Sequence, residues 1–317
     1  MQAAEEAFTV GFLLIPNFPL MPYAAAIEPL RAANLLGGRE RYRWLHFSPD
    51  GQPVRASNGI AVAPDRPPDR MAEVDLLLVC AGTGIEGFDH PPTLARLRDL
   101  ARHGTALGAV SGGPYLLARA GVLDGHRFTL HWDHLASFAE RFPALEPTGH
   151  LFEIDRDRLT CSGGIAALDL MHALIERRDG VALAAAVADW FMHTQLRHGD
   201  DPQRLDPRRR FGVSHPGLLA ALARMEERIE EPLSRQDLAG IAGLSLRQLE
   251  RLFRGRLGRS VAEHYLDLRL RAARRHLRQT TLSVTEVALA CGFVSTSHFS
   301  RAYRQRFGSP PARDRAE

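Results

Sequence analysis

The sequence contains no lysine: all 40 of its basic residues are arginine. A GC-rich genome produces that bias as readily as selection for guanidinium chemistry does, so the absence by itself assigns no function. Cysteine is nearly as scarce. Cys80, Cys161 and Cys291 are far apart and none belongs to a Cys-x-x-Cys pair, so neither a disulfide framework nor a zinc or other metal site is indicated. A reducing cytoplasm is the expected setting. Long apolar runs are missing too: no stretch approaches the ~18 uninterrupted apolar residues of a membrane span. The opening MQAAEEAFTV carries two glutamates and no basic leader segment. A soluble, unexported protein with no membrane partner is expected.

What is present is a chain of 317 residues, 45% hydrophobic and 24% charged. That composition is globular, and the length is about twice the ~150 residues typical of one domain, so two domains are expected. The net charge of +3 hides a division. Residues 1–207 hold 19 Arg against 26 Asp and Glu, whereas residues 208–317 hold 21 Arg against 11. A strongly basic final third beside an acidic remainder points to a polyanion-binding module, nucleic acid being the commonest polyanion.

The first part of the chain alternates. Residues 8–15 (FTVGFLLI), 74–80 (VDLLLVC), 105–110 (TALGAV) and 158–161 (RLTC) read as strands. Residues 21–36, 93–102, 114–120, 165–178 and 181–196 read as helices, with Pro29 kinking or interrupting the first. This pattern predicts a doubly wound α/β domain over residues 1–196. Residues 197–216 (RHGDDPQRLDPRRRFGVSHP) have little apolar periodicity, three prolines and clustered charge, and read as a linker. Residues 217–317 read as an all-α domain.

That basic domain repeats itself. At an offset of 49, Leu233-Ser234, Leu238-Ala239 and Ala242-Gly243-Leu244 fall over Leu282-Ser283, Val287-Ala288 and Cys291-Gly292-Phe293. One inserted residue later, at an offset of 50, Leu249, Arg251, Phe253 and Gly258 fall over Phe299, Arg301, Tyr303 and Gly308. In each copy a short helix ends at a glycine, Gly243 or Gly292, where a left-handed backbone costs least, and a second helix starts at a serine N-cap, Ser245 or Ser295. Two helices joined by a short glycine-containing turn make a helix-turn-helix, with Leu238, Leu249 and Leu252 locking the first pair.

With those motifs, Ser234 through Pro311 resembles the DNA-binding domain of the AraC/XylS family of transcription regulators. The similarity includes Ala288-Leu289-Ala290-Cys291-Gly292-Phe293 and the closing Phe307-Gly308-Ser309-Pro310-Pro311. It implies a rigid helix, about 261–278, holding two recognition helices against successive major-groove faces. The outward residues are then Arg247, Glu250 and Arg251 on the first helix and Thr296, Ser297, Ser300 and Arg301 on the second. Arginine can bridge guanine O6 and N7, and glutamate can accept from cytosine N4. Arg254, Arg256, Arg304 and Arg306 are placed to meet phosphates.

In the α/β part, Gly108-Ala109-Val110-Ser111-Gly112-Gly113-Pro114-Tyr115 ends a strand and enters a helix. Such an elbow thrusts one side chain outward beside backbone N–H donors, although Ala109 replaces the first glycine of Gly-x-Ser-x-Gly. Residues 8–195 resemble the flavodoxin-like PfpI, class I glutamine-amidotransferase-like fold, and more closely the sensor domains fused to AraC-type modules; 18–34, 129–132 and 160–171 carry that similarity. The enzymes of that superfamily use a cysteine where Ser111 stands, and many carry an acidic residue where Pro22 stands. A serine nucleophile needs a base, for which His131 is the best candidate. His126, His134, His150 and His172 read as surface or structural, Gly82 and Gly84 as oxyanion-hole amides or a strand end, and Gly163-Gly164 as a close helix contact.

The expectation is therefore a non-enzymatic regulator that binds promoter DNA, with a serine amidase or hydrolase built on Ser111 as the alternative. No cofactor is implied. A homodimer is expected, since regulators pair half-sites through symmetric partners, and RNA polymerase is a further partner within reach of such a regulator; when bound to DNA it would associate with the nucleoid. The effector site is expected at the elbow. The resemblance puts Phe18, Tyr23, Tyr115, His131 and Trp132 around Ser111, with amides near Gly82, Gly84 and Gly112. Amides suit a carboxylate and aromatic faces an ammonium group. The resembling regulators respond to amino acids and betaine-like compounds, so a small zwitterion is expected.

Overall fold

The computed structural model describes residues 6–316. Residues 1–5 and Glu317, which fall within the expected domain spans and, at the start, within the segment read as lacking a leader, lie outside the described residues. The chain divides into two compact units between Gln203 and Arg204.

The first unit comprises β1 (Phe8–Leu14), α1 (Leu20–Gly37), β2 (Tyr42–Phe47), a small hairpin of β3 (Val54–Arg55) and β4 (Ala61–Val62), β5 (Leu76–Ala81), α2 (Pro91–Arg102), β6 (Ala106–Ser111), α3 (Pro114–Arg119), α4 (Leu135–Arg141), β7 (Phe152–Asp155), β8 (Arg158–Cys161), α5 (Ala166–Asp179) and α6 (Val181–Trp190). The sheet order is β2-β1-β5-β6-β8-β7, with every pair parallel except β7 on β8. Strands β5 and β6 are buried almost throughout because helices cover both faces. Helices α1, α5 and α6 pack one apolar layer around Phe12, Leu78 and Val110. The opposite layer, around Leu77, Val79 and Leu107, is filled from α2, α3 and α4 by Leu97, Leu116 and Phe138.

The expected strands and helices are present, the β3–β4 hairpin and α4 are additional elements that were not expected, and three further differences concern the sheet edges, α1 and α6. The strands β2 and β7 were not anticipated: both lie at sheet edges, where half-exposed backbones carry mixed polarity instead of a continuous apolar run. Helix α1 runs through Pro29 unbroken; proline forfeits one helical donor, and the burial of Ala26, Leu30 and Ala33 around it holds the helix. Helix α6 stops at Trp190 instead of 196, because the chain turns back onto the buried Asp169. That carboxylate accepts from His193 Nε2 at 2.8 Å and from Arg197 Nε at 3.0 Å.

Residues 197–216, expected as a linker, are largely committed to one unit or the other. In the first unit, Gln203 donates to His150 O and Leu130 O at 2.9 Å and accepts from Trp132 N at 2.7 Å. In the second, Asp206 caps α7 (Pro207–Phe211), and Val213 is buried in the helical core. The physical reason is that polar side chains here satisfy buried backbone groups, a role that apolar periodicity cannot register.

The second unit continues with α8 (Pro216–Glu227), α9 (Arg235–Ile241), α10 (Leu246–Leu257), α11 (Val261–Gln279), α12 (Val284–Ala290), α13 (Thr296–Phe307) and α14 (Pro311–Ala316). The repeat in sequence is a repeat in space: α9 and α12 differ by 49 residues and α10 and α13 by 50, the extra residue falling in the second turn. Gly243 and Gly292 have φ of 65° and 73°, a conformation that favours glycine. Two apolar clusters result, one around Leu238, Leu249 and Phe253 and one around Val287, Phe299 and Tyr303.

Candidate nucleic-acid interface and effector site

Helix α10 starts where Ser245 and Gln248 form a capping box, Ser245 Oγ accepting from Gln248 N at 3.3 Å and Gln248 Oε1 from Ser245 N at 2.9 Å. Its apolar side, Leu249, Leu252 and Phe253, turns inward. Arg247, Arg251 and Arg254 are exposed on the other side, around a concavity of about 880 Å³ that Gly255 also lines. Helix α13 repeats this: Phe299 and Tyr303 are buried, Thr296, Ser297, Arg301 and Arg304 are exposed, and Ser300, Arg301, Arg304 and Gln305 line a concavity of about 510 Å³. Arg251 and Arg254 occupy the places of Arg301 and Arg304. Among the described residues none of these four donates an ion pair, so their guanidinium groups are available to a partner.

One expected residue has a second role in the fold and one is corrected. Glu250 lines the same concavity as Arg251, yet it is half-buried: its Oε2 accepts from Val261 N at 3.3 Å, holding the start of α11, and Arg235 lies 3.7 Å away. A carboxylate is drawn there by the unpaired N–H groups of a helix start. Arg306, expected on phosphate, instead donates through Nε to Asp267 at 2.5 Å. Ser300 is half-buried beside Arg301.

In the α/β unit Ser111 closes β6 with a φ of 61°, one of few non-glycine residues in the left-handed region, and is 8% exposed. The turn is cramped. A Cβ on Gly113 would lie 2.3 Å from Val79 O, and one on Gly112 would lie 3.2 Å from both Gly82 O and His134 Nε2. Gly163 serves this elbow and not, as expected, a helix contact: a Cβ there would stand 2.8 Å from Ser111 Cβ. His131 N donates to Ser111 O at 3.1 Å, and its Nδ1 accepts from Asp133 N at 3.2 Å. Burial, and then the neighbouring His134, lower the His131 pKa, so the ring is neutral with its proton on Nε2. Nearby, a cavity of about 310 Å³ is lined by Asn17, Gly82, Thr83, Gly84, Ile85 and Phe88 among others. Within it the N–H groups of Thr83 and Gly84 make no backbone hydrogen bond among the described residues.

The elbow thus brings Ser111, Gly112, Gly82 and His131 into one neighbourhood, with Gly84 in the adjoining cavity and the Trp132 ring beside that of His131. Three expected aromatics are elsewhere. Phe18 is wholly buried and packs edge-on against Tyr23, whose hydroxyl bonds His46 Nε2 at 2.8 Å. Tyr115 is 3% exposed and packs on Phe138 and Phe142. Large aromatic faces bury more apolar area in the helix–sheet layers than they would at a cavity wall.

Known proteins resemble both parts of the chain. Residues 238–317 match the helix-turn-helix domain model and residues 17–177 match the DJ-1/PfpI family model. The HTH-type transcriptional regulator GbdR of Pseudomonas aeruginosa is 45% identical over 307 residues, covering 97% of this chain and 84% of that protein. The HTH-type transcriptional regulator GlxA of Rhizobium meliloti is 43% identical over 303 residues, covering 95% and 94%. A crystal structure of an AraC family transcriptional regulator from Pseudomonas putida superposes with a TM-score of 0.55 at 33% identity, covering 58% of this chain and 99% of that one. The chain belongs to the AraC family of transcriptional regulators. It is a member with an N-terminal DJ-1/PfpI domain, and among its described residues no helix is long and apolar enough to cross a membrane.

This regulator also contains a pair that the sequence did not reveal. His134, expected as surface or structural, is 5% exposed and its Nδ1 donates to Glu86 Oε1 at 2.7 Å, with Ser137 Oγ donating to the same oxygen at 3.3 Å. The pair spans 48 residues, so no local spacing signals it. It leaves His134 Nε2 facing the elbow at Gly112.

Proposed function

We propose that this regulator reads promoter DNA with α10 and α13, as a homodimer in the cytoplasm and in reach of RNA polymerase, and responds to a small zwitterion at the elbow without catalysing a reaction on it. The observation that carries the DNA half is the duplicated surface: Arg251 and Arg254 on one helix and Arg301 and Arg304 on the other are exposed at equivalent places. Arg247, Thr296, Ser297 and Ser300 flank them. Free guanidinium groups repeated on two helices suit two successive faces of a polyanionic duplex.

The effector half rests on the elbow and its cavity. The N–H groups of Thr83 and Gly84 suit a carboxylate. Trp132, whose ring lies 5.3 Å from that of His131, offers a face to an ammonium group, a contact worth ~0.5–2 kcal/mol. Against the hydrolase alternative, Ser111 Oγ makes no hydrogen bond to either imidazole, and His134 Nδ1 is engaged by Glu86. Burial also pushes the Cys80 and Cys161 thiols up, the latter to about 12, far from thiolate chemistry. Calorimetry of the full chain with arginine, glycine betaine and carnitine tests the site. Binding of at least one of them, weakened by Trp132→Ala and by Ser111→Ala, is expected. Binding of none, or binding indifferent to both changes, overturns the assignment.

A further inference from the structure

We infer that Asp267 is a positioning residue that fixes the two DNA-reading helices relative to each other, with Arg259 and Arg306 as its arms. The inference rests on α10 and α13 being the reading helices. Asp267 lies at the end of the second turn of α11 with its side chain 8% exposed. Its Oδ2 accepts from Arg259 Nη1 at 2.9 Å and from Arg271 one turn further along, and its Oδ1 accepts from Arg306 Nε at 2.5 Å. Arg259 immediately follows Gly258, the left-handed residue that closes α10. Arg306 lies in the last turn of α13. One carboxylate therefore takes hydrogen bonds from the exits of both reading helices and from the helix between them. Burial opposes its ionisation, yet the bonds from Arg306, Arg271 and Arg259 outweigh that and hold the carboxyl at about 2.

The internal repeat supplies a control. The 50-residue offset places Arg306 over Arg256, which is equally basic, exposed and in the last turn of α10. Only Arg306 is turned inward onto α11. Geometry explains why a tie would matter: a 12-residue helix is about 18 Å long, so a tilt of roughly 10° moves its far end by about 3 Å. That displacement exceeds the tolerance of a base-edge hydrogen bond. Two helices that must meet groove faces ~34 Å apart at once therefore need a fixed relation.

The test uses the full chain and a duplex selected from random DNA, into which one base pair is then inserted between the two contacted elements. Arg306→Gln and Arg259→Gln each leave Asp267 two guanidinium partners, so the carboxylate stays neutralised; far-UV circular dichroism checks the fold. The wild type is expected to lose about tenfold or more on insertion, the size of a mismatch in a read position. In Arg306→Gln and Arg259→Gln that penalty should shrink to roughly two- or threefold, with weaker binding to the original duplex. Arg256→Gln should weaken all duplexes alike and lower the salt slope by about 1 while keeping the full insertion penalty. An unchanged penalty in both Asp267-partner variants, or Arg306→Gln behaving as Arg256→Gln does, overturns the tie. So does a wild type that selects a site but ignores the insertion. A wild type that selects no duplex instead removes the DNA-reading assignment itself, and the tie with it.

Discussion

Acidification should unlock the first helix-turn-helix unit through one buried histidine. His264 on α11 is 5% exposed, its ring lies against Phe253 of α10 at 5.5 Å and Phe211 of α7 at 5.8 Å, and neither ring nitrogen has a hydrogen-bond partner among the described residues. Burial, helped by Arg259, lowers its pKa from 6.5 to about 4. The sign follows from linkage: the unfolded chain takes up the proton first as pH falls below 6.5, so stability is lost between about 6.5 and 4. At 1.36 kcal/mol per unit the full loss is about 3 kcal/mol, of which about 2 kcal/mol is reached by pH 5. That is a large part of the 5–15 kcal/mol that holds a typical domain together. Asp267, lowered from 3.8 to about 2, loses its contribution only as pH falls below about 4, so it adds next to nothing between pH 7.5 and 5. Urea unfolding followed by far-UV circular dichroism at pH 7.5, 6 and 5 measures the effect, with His264→Phe as reference. Phenylalanine fits an aromatic neighbourhood and removes two unsatisfied nitrogens, so it should gain ~1 kcal/mol or more at pH 7.5. The variant's advantage should widen as pH falls, and DNA binding by the wild type should fail first. An advantage constant from pH 7.5 to 5 would refute the reasoning.

Arg251→Ala and Arg301→Ala should each cost ~1–3 kcal/mol on a selected duplex and relax its specificity, whereas Arg304→Ala should weaken every sequence about equally; equal losses on selected and random DNA for the first two would remove the base-reading assignment. Ser111→Ala should leave the fold and effector-free DNA binding unchanged, and labelling of wild-type Ser111 by a fluorophosphonate would bring back the hydrolase alternative. Gly163→Ala puts a methyl at a φ of 95° and 2.8 Å from Ser111 Cβ, so it should destabilise the α/β unit by ~1–3 kcal/mol and disturb the elbow; an unaltered melting temperature would show that the turn is slack.

Features whose signals are local were legible in the amino-acid order alone. Gly243 and Gly292, the serines at 234, 245, 283 and 295, and apolar spacing mark helix ends and faces within a few residues, which is why α9 to α13 and their repeat could be read from the chain itself. The apolar runs of β1, β5 and β6 were legible because a strand covered on both faces needs no partner to declare itself. Features that depend on residues distant in sequence were settled only by the folded arrangement. Edge strands β2 and β7 form because a neighbour offers them hydrogen bonds. Gln203 reaches back more than 70 residues to Trp132 and Leu130. Glu86 meets His134 at the elbow, Arg306 turns onto Asp267 across 39 residues, and Tyr115 faces the core instead of a cavity. In each case the side chain's chemistry permits several partners, and only packing in three dimensions selects one.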